Sequence, residues 1–258
     1  DEMRICILGS GTSYGIPEIG CDCEVCRDAR ERSSPNSRTR SSLYIETERT
    51  TILFDTSPDF RQQMIENNIN RIDAVFFTHE HADHIFGLAD IRSYSMERPI
   101  PCYGMERCIS YLRHVFDYAF NPVQLGGGVP HIELIPVREY SPVNIGDLEI
   151  LPVPVYHGKI PVFGYVINSR VGYFPDVNRI PERSKQCMRG LRLLVMDGLR
   201  YRPHPTHFSI EESIDVAREL DVEFLVITHI CHEIDARSLK IRLPDWVMLA
   251  QDGLWLRV

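Results

Sequence analysis

Between residues 73 and 88 the chain reads Asp73-Ala-Val-Phe-Phe-Thr-His79-Glu-His81-Ala-Asp83-His84-Ile-Phe-Gly87-Leu. An apolar, strand-like stretch passes without a break into four metal-ligand side chains within six residues. One histidine at such a strand end is ordinarily a hydrogen-bonded structural residue. Three imidazoles and a carboxylate crowded together are costly to bury unless they share a cation, and three histidines suit zinc while added carboxylates also accommodate manganese or iron. A chain with this feature must therefore set one strand end at a metal centre and bring further ligands to it from elsewhere.

The further ligands follow the same rule. His157 comes after the apolar run 148–155, Asp176 after 171–174 and His229 after 224–228. Taken singly, each reads equally well as a turn or cap residue. Ligand sites in α/β folds gather at strand ends, so strands finishing along one edge would unite them, with donors enough for two cations. Other β-rich runs cover 4–8, 42–46, 51–54, 74–78, 133–137, 163–167 and 193–196. Helical patterns occupy 23–32, 60–67, 105–118 and 210–220, the last with Ser209 as N-cap and Glu212 in the capping-box position. Polar 31–42 and 126–130 read as loops. Long runs of strands with inserted helices favour stacked sheets covered by helices over a simple βαβ alternation. No internal repeat or linker divides the chain, so one α/β domain over 1–258 is expected.

Composition narrows the function. The chain is 43% hydrophobic and 25% charged, ordinary for a globular protein, and no apolar run reaches 18 residues. It opens directly on strand-like sequence, which argues against a membrane span and a secretory signal. A formal charge of -8 opposes a broad electrostatic grip on extended nucleic acid. Three of eight cysteines fall in Cys21-Asp22-Cys23-Glu24-Val25-Cys26, a spacing that points to metal within a loop at about 20–27 and to a reducing cytoplasm. Three thiolates leave one tetrahedral position, for which His232 is the choice and Cys231 a competitor; three reduced buried thiols are the plain alternative. Cys6, Cys102, Cys108 and Cys187 show no grouping and read as ordinary thiols.

His79-x-His81-x-Asp83-His84 followed in order by His157, Asp176 and His229 resembles the ligand set of the metallo-β-lactamase superfamily, across nearly the whole chain. That resemblance implies an αββα sandwich, with His79, His81 and His157 on one metal, Asp83, His84 and His229 on the other, and Asp176 bridging them. Gly9-Ser-Gly-Thr-Ser-Tyr-Gly-Ile-Pro17, Gly20-Cys21-x-Cys23-x-x-Cys26 and Thr228-His229-Ile-Cys-His232-Glu-Ile-Asp235 resemble the PhnP-type phosphodiesterases of phosphonate metabolism. This implies opening of cyclic ribose phosphodiesters, two active-site ions of Mn2+ or Zn2+, and one remote structural Zn2+ on Cys21, Cys23, Cys26 and His232. The glycine-rich start is not a nucleotide P-loop, because no Gly-Lys-Ser/Thr follows.

Paired cations acidify a bridging water and stabilise oxygens on both sides of an in-line displacement at phosphorus. A leaving alkoxide also needs a proton. His207, in His204-Pro-Thr-His207-Phe-Ser-Ile, matches the family's catalytic histidine; His204 is its rival, and a surface histidine capping a helix is the plain reading. Asp83 counts among the catalytic residues through its place in the ligand set. Asp55 and Asp197 each either support a ligand histidine or merely end a strand. Arg38 and Arg40 sit in a polar loop where they could meet a phosphate, though solvated surface charge is the better reading. The expectation is thus hydrolysis of a small cyclic (ribo)nucleotide or sugar phosphodiester, with no membrane or extended nucleic-acid partner; a homodimer is compatible with it. The rivals are a transfer-RNA 3′-processing endoribonuclease, resembled through Ser37-Arg-Thr-Arg-Ser-Ser42 but without its long RNA-gripping arm, a carboxylic ester or lactone hydrolase, and a non-catalytic nucleotide-binding protein.

Overall fold

A computed structural model describes residues 2–124 and 126–258; residues 1 and 125 of the expected domain lie outside the described residues. β1 (Arg4–Gly9), β2 (Ser42–Glu46), β3 (Thr51–Phe54), β4 (Ala74–Phe76), β5 (Ile100–Gly104) and β6 (Ile132–Pro136) form one sheet. β7 (Val143–Ile145), β8 (Leu148–His157), β9 (Ile160–Ile167), β10 (Val171–Phe174), β11 (Leu193–Asp197), β12 (Leu225–Thr228) and β13 (Val247–Leu249) form the second, and β14 (Leu254–Arg257) returns to pair with β1. Each sheet is antiparallel over half its width and parallel over the other half. β1–β6 and β8–β13 therefore share one strand order and direction although the sequence shows no repeat, while the seventh strands, β14 and β7, come from different parts of the chain.

The sheets pack face to face on an aromatic centre of Phe54, Phe76, Tyr165 and Tyr173, with Ile5, Leu43, Val195 and Val226 around it. Their outer faces are covered in turn. α1 (Glu24–Asp28) belongs to the N-terminal loop. α2 (Phe60–Glu66), the 3-10 helix Leu88–Tyr94 and α4 (Glu106–Val115), preceded by α3 (Ala82–Ile85) and followed by α5 (Asp117–Phe120), lie over the first sheet through Met64, Leu88 and Leu112. α6 (Glu182–Met188) and α7 (Ile210–Glu219) cover the second through Met188, Ile214 and Ala217. This is the four-layer αββα sandwich. Strands buried on both faces need apolar residues throughout, which is why β3, β4 and β12 read as continuous runs.

Local chemistry sets the element limits. α7 begins as expected, with Ser209 accepting from the Glu212 N–H and the Glu212 carboxylate reaching back to the Ser209 N–H. The helix expected over 23–32 stops at Asp28, because that carboxylate takes the Ser34 hydroxyl and the Asn36 amide and turns the chain aside. The helical run over 105–118 divides at Phe116, whose ring is buried in the outer core. β5 escapes the periodicity reading because Pro99 and Pro101 straddle its start, and β7, β13 and β14 are only three or four residues long.

Candidate active site and metal centres

Seven donors converge at one end of the sandwich. β4 leads through Phe77 and Thr78 to His79 and His81, and the short α3 carries Asp83 and His84. β8 ends on His157, β10 leads to Asp176, β11 ends on Asp197 and β12 leads to His229. β8, β10, β11 and β12 point the same way, so their carboxyl ends share an edge. Asp55, just past β3, and His229, just past β12, adopt left-handed backbone conformations (φ 62° and 58°), costing about 1–3 kcal/mol each. Strain held there turns the side chains inward.

Hydrogen bonds fix which ring nitrogen faces the centre. Asp55, fully buried, accepts from His84 Nδ1 (2.7 Å), the Thr78 N–H (2.8 Å) and the Thr78 hydroxyl (2.8 Å). With its hydroxyl hydrogen committed to Asp55, Thr78 Oγ1 can only accept from His79 Nδ1, 3.0 Å away. One carboxylate thus sets the tautomers of two histidines, one directly and one by relay. His157 Nδ1 donates to the Thr206 carbonyl at 2.8 Å. In all three rings the Nε2 lone pair is left for the interior.

The inward atoms form the sets a pair of cations requires. His79, His81 and His157 place ligand atoms within 4.8 Å of one another, as do Asp83, His84 and His229, and as do His79, His84 and Asp176. His84 Nε2 lies 3.1 Å from Asp83 and 2.9 Å from Asp176; His229 Nε2 lies 3.4 and 3.3 Å from the same carboxylates. Beyond these ionic contacts with one another, buried His84 Nε2, His229 Nε2 and Asp176 Oδ2 have no hydrogen-bond partner among the described residues. Such polar atoms are expensive unless a cation takes their lone pairs, so the donors fit two divalent ions. His81 is exposed, leaving the centre open on its side.

The electrostatics agree. Burial would push Asp176 and Asp83 up, but His229 and His84 beside Asp176, and His84 beside Asp83, hold both carboxyls well below the usual range. Burial opposes charge on His84, yet Asp83, Asp176 and Asp55 outweigh it and raise its pKa well above that of an ordinary imidazole. Burial lowers His79, His81 and His157, keeping them neutral as ligands must be.

His207 is buried between His157 and His229, at ring-centroid distances of 4.7 and 4.9 Å. It is not a surface cap; Ser209 caps α7. Its Nδ1 lies 2.6 Å from Asp197, which also accepts the Val177 N–H. Asp197 therefore holds His207, not a ligand histidine. His204 stands 5.1 Å from His207, its Nδ1 occupied by the N–H of Thr206 at 3.2 Å.

At the second station, His232 Nδ1 is 3.4, 3.8 and 3.4 Å from the sulfurs of Cys21, Cys23 and Cys26. Tetrahedral zinc with its usual bond lengths demands a sulfur–nitrogen edge of about 3.6 Å, so these four side chains fit it. Hydrogen bonding from Cys23 lowers Cys21 to about 7, while burial raises both Cys26, to about 12, and the competitor Cys231, to about 11, so it is the grouping with His232 and not thiol acidity that singles out Cys21, Cys23 and Cys26. The arginine reading needs correction. Arg38 is only 2% exposed, bonded to Ser10 and the Ala250 carbonyl, and is neither solvated nor turned to a phosphate. Arg40 is paired with Asp59 at 2.8 Å. Sequence reasoning missed Thr78 and Thr206; a hydroxyl residue directly before the first ligand histidine was the available signal for Thr78.

A family model described as a Beta-lactamase superfamily domain matches residues 50–230, more than half the chain and all seven donors. The chain belongs to the metallo-β-lactamase superfamily. Within that superfamily, a crystal structure described as a new diphosphatase from the PhnP family is 36% identical with a TM-score of 0.89, covering 100% of this chain and 98% of that one. Zinc-bound PqqB from Methylobacterium extorquens shares the fold at 20% identity and TM-score 0.80, covering 98% and 99%. A Porphyromonas gingivalis octanoyltransferase is 38% identical over 98% of this chain, which spans only 51% of that relative. No described helix is long and apolar enough to cross a membrane.

Proposed function

We propose that this superfamily member hydrolyses a small phosphodiester, with cyclic ribose phosphates as the preferred class and Zn2+ or Mn2+ as the working ions. The observation that carries the reading is the buried Asp197–His207 pair set against both donor sets. His79, His81 and His157 would hold one cation and Asp83, His84 and His229 the other, with Asp176 between them. When bound, such a pair supplies an acidified water and neutralises charge gathering on the phosphoryl oxygens.

The chain's own residues supply the rest. Asp197 Oδ2, 2.6 Å from His207 Nδ1, takes that side of the ring and leaves Nε2 for the substrate. The protonated ring carries a hydrogen on Nε2, and this is the proton delivered to the leaving oxygen, which leaves a neutral imidazole with its Nδ1 hydrogen on Asp197. An alkoxide leaving group needs that delivery, worth about 10²–10⁴-fold in rate. Cys21, Cys23, Cys26 and His232 would hold a structural zinc, which requires reduced thiols and so a reducing compartment such as the cytoplasm.

A second reading follows from the PhnP-family neighbour described as a diphosphatase: the same centre would cleave a phosphoanhydride, whose leaving phosphate needs less help from His207. The net charge of -8 favours small substrates over extended nucleic acid. Metal-replete protein should be offered cyclic ribose phosphates, bis-(p-nitrophenyl) phosphate, dinucleoside diphosphates and an octanoyl thioester. Diester cleavage abolished in Asp83→Ala and His229→Ala supports the first reading; turnover confined to the diphosphates supports the second, and confined to the thioester rejects both.

A further inference from the structure

The loop that carries His207 is gripped from two sides. On the inner side His157 Nδ1 bonds the Thr206 carbonyl at 2.8 Å, Asn178 Nδ2 bonds the Pro205 carbonyl at 2.9 Å, and Gly158, at φ 64°, presses the β8–β9 turn so close that an added Cβ would lie 2.8 Å from the Thr206 methyl. On the outer side stand three charged side chains with no role so far. Arg200 donates Nε to the Arg202 carbonyl at 3.3 Å and Nη2 to the Pro203 carbonyl at 2.9 Å, fixing the backbone just before His204. Arg202 lays Nε and Nη2 on the two oxygens of Glu233 at 3.2 and 2.6 Å, and Arg200 Nη1 lies 3.9 Å from the same carboxylate. Glu233 directly follows His232, whose ring faces the three thiols.

Two guanidinium groups therefore share one carboxylate, and that carboxylate belongs to the segment anchored at the cysteine station. An exposed ion pair adds little to folding stability, but a two-pronged arginine–carboxylate contact fixes direction as well as distance. Without the negative charge, Arg200 and Arg202 face each other unneutralised, and Arg200 loses the counter-charge that holds it on the 202–203 carbonyls. We propose that Glu233, acting through Arg202 and Arg200, is a positioning residue that ties the His207 loop to the cysteine-anchored segment and so places the proton donor against the leaving oxygen. This rests on the reading of His207 as the acid.

The test is Glu233→Gln, which keeps the side-chain volume and removes the charge. Proton delivery matters for a cyclic ribose phosphodiester and hardly at all for bis-(p-nitrophenyl) phosphate, whose nitrophenolate departs unaided. The expected result is a loss of about tenfold in kcat on the cyclic diester, with KM and the nitrophenyl reaction within about twofold of wild type, since small misplacements of a reacting group are costly. Hydrogen exchange in the peptide spanning residues 201–208 should also quicken. Equal losses on both substrates, no loss on the cyclic diester, or unchanged exchange would each overturn the proposal. If the wild-type protein cleaves neither substrate, the hydrolase reading fails, and the exchange measurement still decides whether Glu233 holds the loop.

Discussion

Asp55→Asn isolates the relay that orients two ligand histidines. Asp55 receives three hydrogen bonds, from His84 Nδ1 and from the N–H and hydroxyl of Thr78. Asparagine preserves shape but offers one acceptor oxygen where three donors converge: its NH2 must replace either Oδ2, which takes His84 Nδ1 and the Thr78 hydroxyl, or Oδ1, which takes the Thr78 N–H. In the Oδ2 place it faces His84, whose ring shifts its proton to Nε2, the atom 2.9 Å from Asp176 that a cation needs, and the Thr78 hydroxyl loses the acceptor that lets it set His79. In the Oδ1 place it meets the Thr78 N–H donor to donor and forces apart the backbone that carries the relay to His79. Either way the support of a ligand histidine is broken, and loss of such a supporting bond typically lowers metal affinity about 10–100-fold, equivalent to about 1.4–2.7 kcal/mol. Competition between the stripped protein and a chromophoric chelator measures this directly, with the Cys21-Cys23-Cys26-His232 station as internal reference. Wild-type affinity at the histidine centre in a folded Asp55→Asn protein would refute the relay.

Three further outcomes follow from the same geometry. His207→Ala should lower turnover on an alkoxide-leaving diester by about 10²–10⁴-fold with metal content retained, and unchanged turnover would reject its role. In the metal-free protein the raised pKa of His84 means its stabilising charge is fully present below the ordinary histidine value and is lost as pH rises through the raised one. Cation uptake must expel that proton, so affinity should rise with pH, and calorimetry in buffers of different ionisation enthalpy should record proton release near neutrality; none released would contradict the assignment. Cys26→Ser, at the buried corner of the second station, should remove one zinc per chain and lower the thermal midpoint while leaving the histidine centre loaded, and retention of that zinc would remove Cys26 from the ligand set.

Much of the site was legible because its residues violate what a core tolerates. Crowded imidazoles after a buried strand announce a cation, and His157, Asp176 and His229 each stand just past an apolar run. What stayed hidden depends on contacts far apart in the chain. Arg38 lies in a polar loop that reads as solvent-exposed, yet its guanidinium is buried between Ser10 and the Ala250 carbonyl, beside Asp252, which itself takes Ser10 and Thr39. No local pattern joins residues more than two hundred positions apart. Asp197 was visible as a strand end, but its partner His207 is supplied by the loop ahead of α7, and only the fold reveals which histidine it holds. β5 and β14 were missed for a different reason: prolines and short length leave too few alternating residues for a period to show.

Two cations should sit together among His79, His81, Asp83, His84, His157, Asp176 and His229. Anomalous diffraction from crystals of the metal-replete protein, collected on both sides of the zinc and manganese edges, would locate them. Two peaks about 3.5–4 Å apart are predicted, one against His79, His81 and His157 and one against Asp83, His84 and His229, with Asp176 reaching both. A single peak, or none among these side chains while the cysteine station is filled, would rule out a paired centre there.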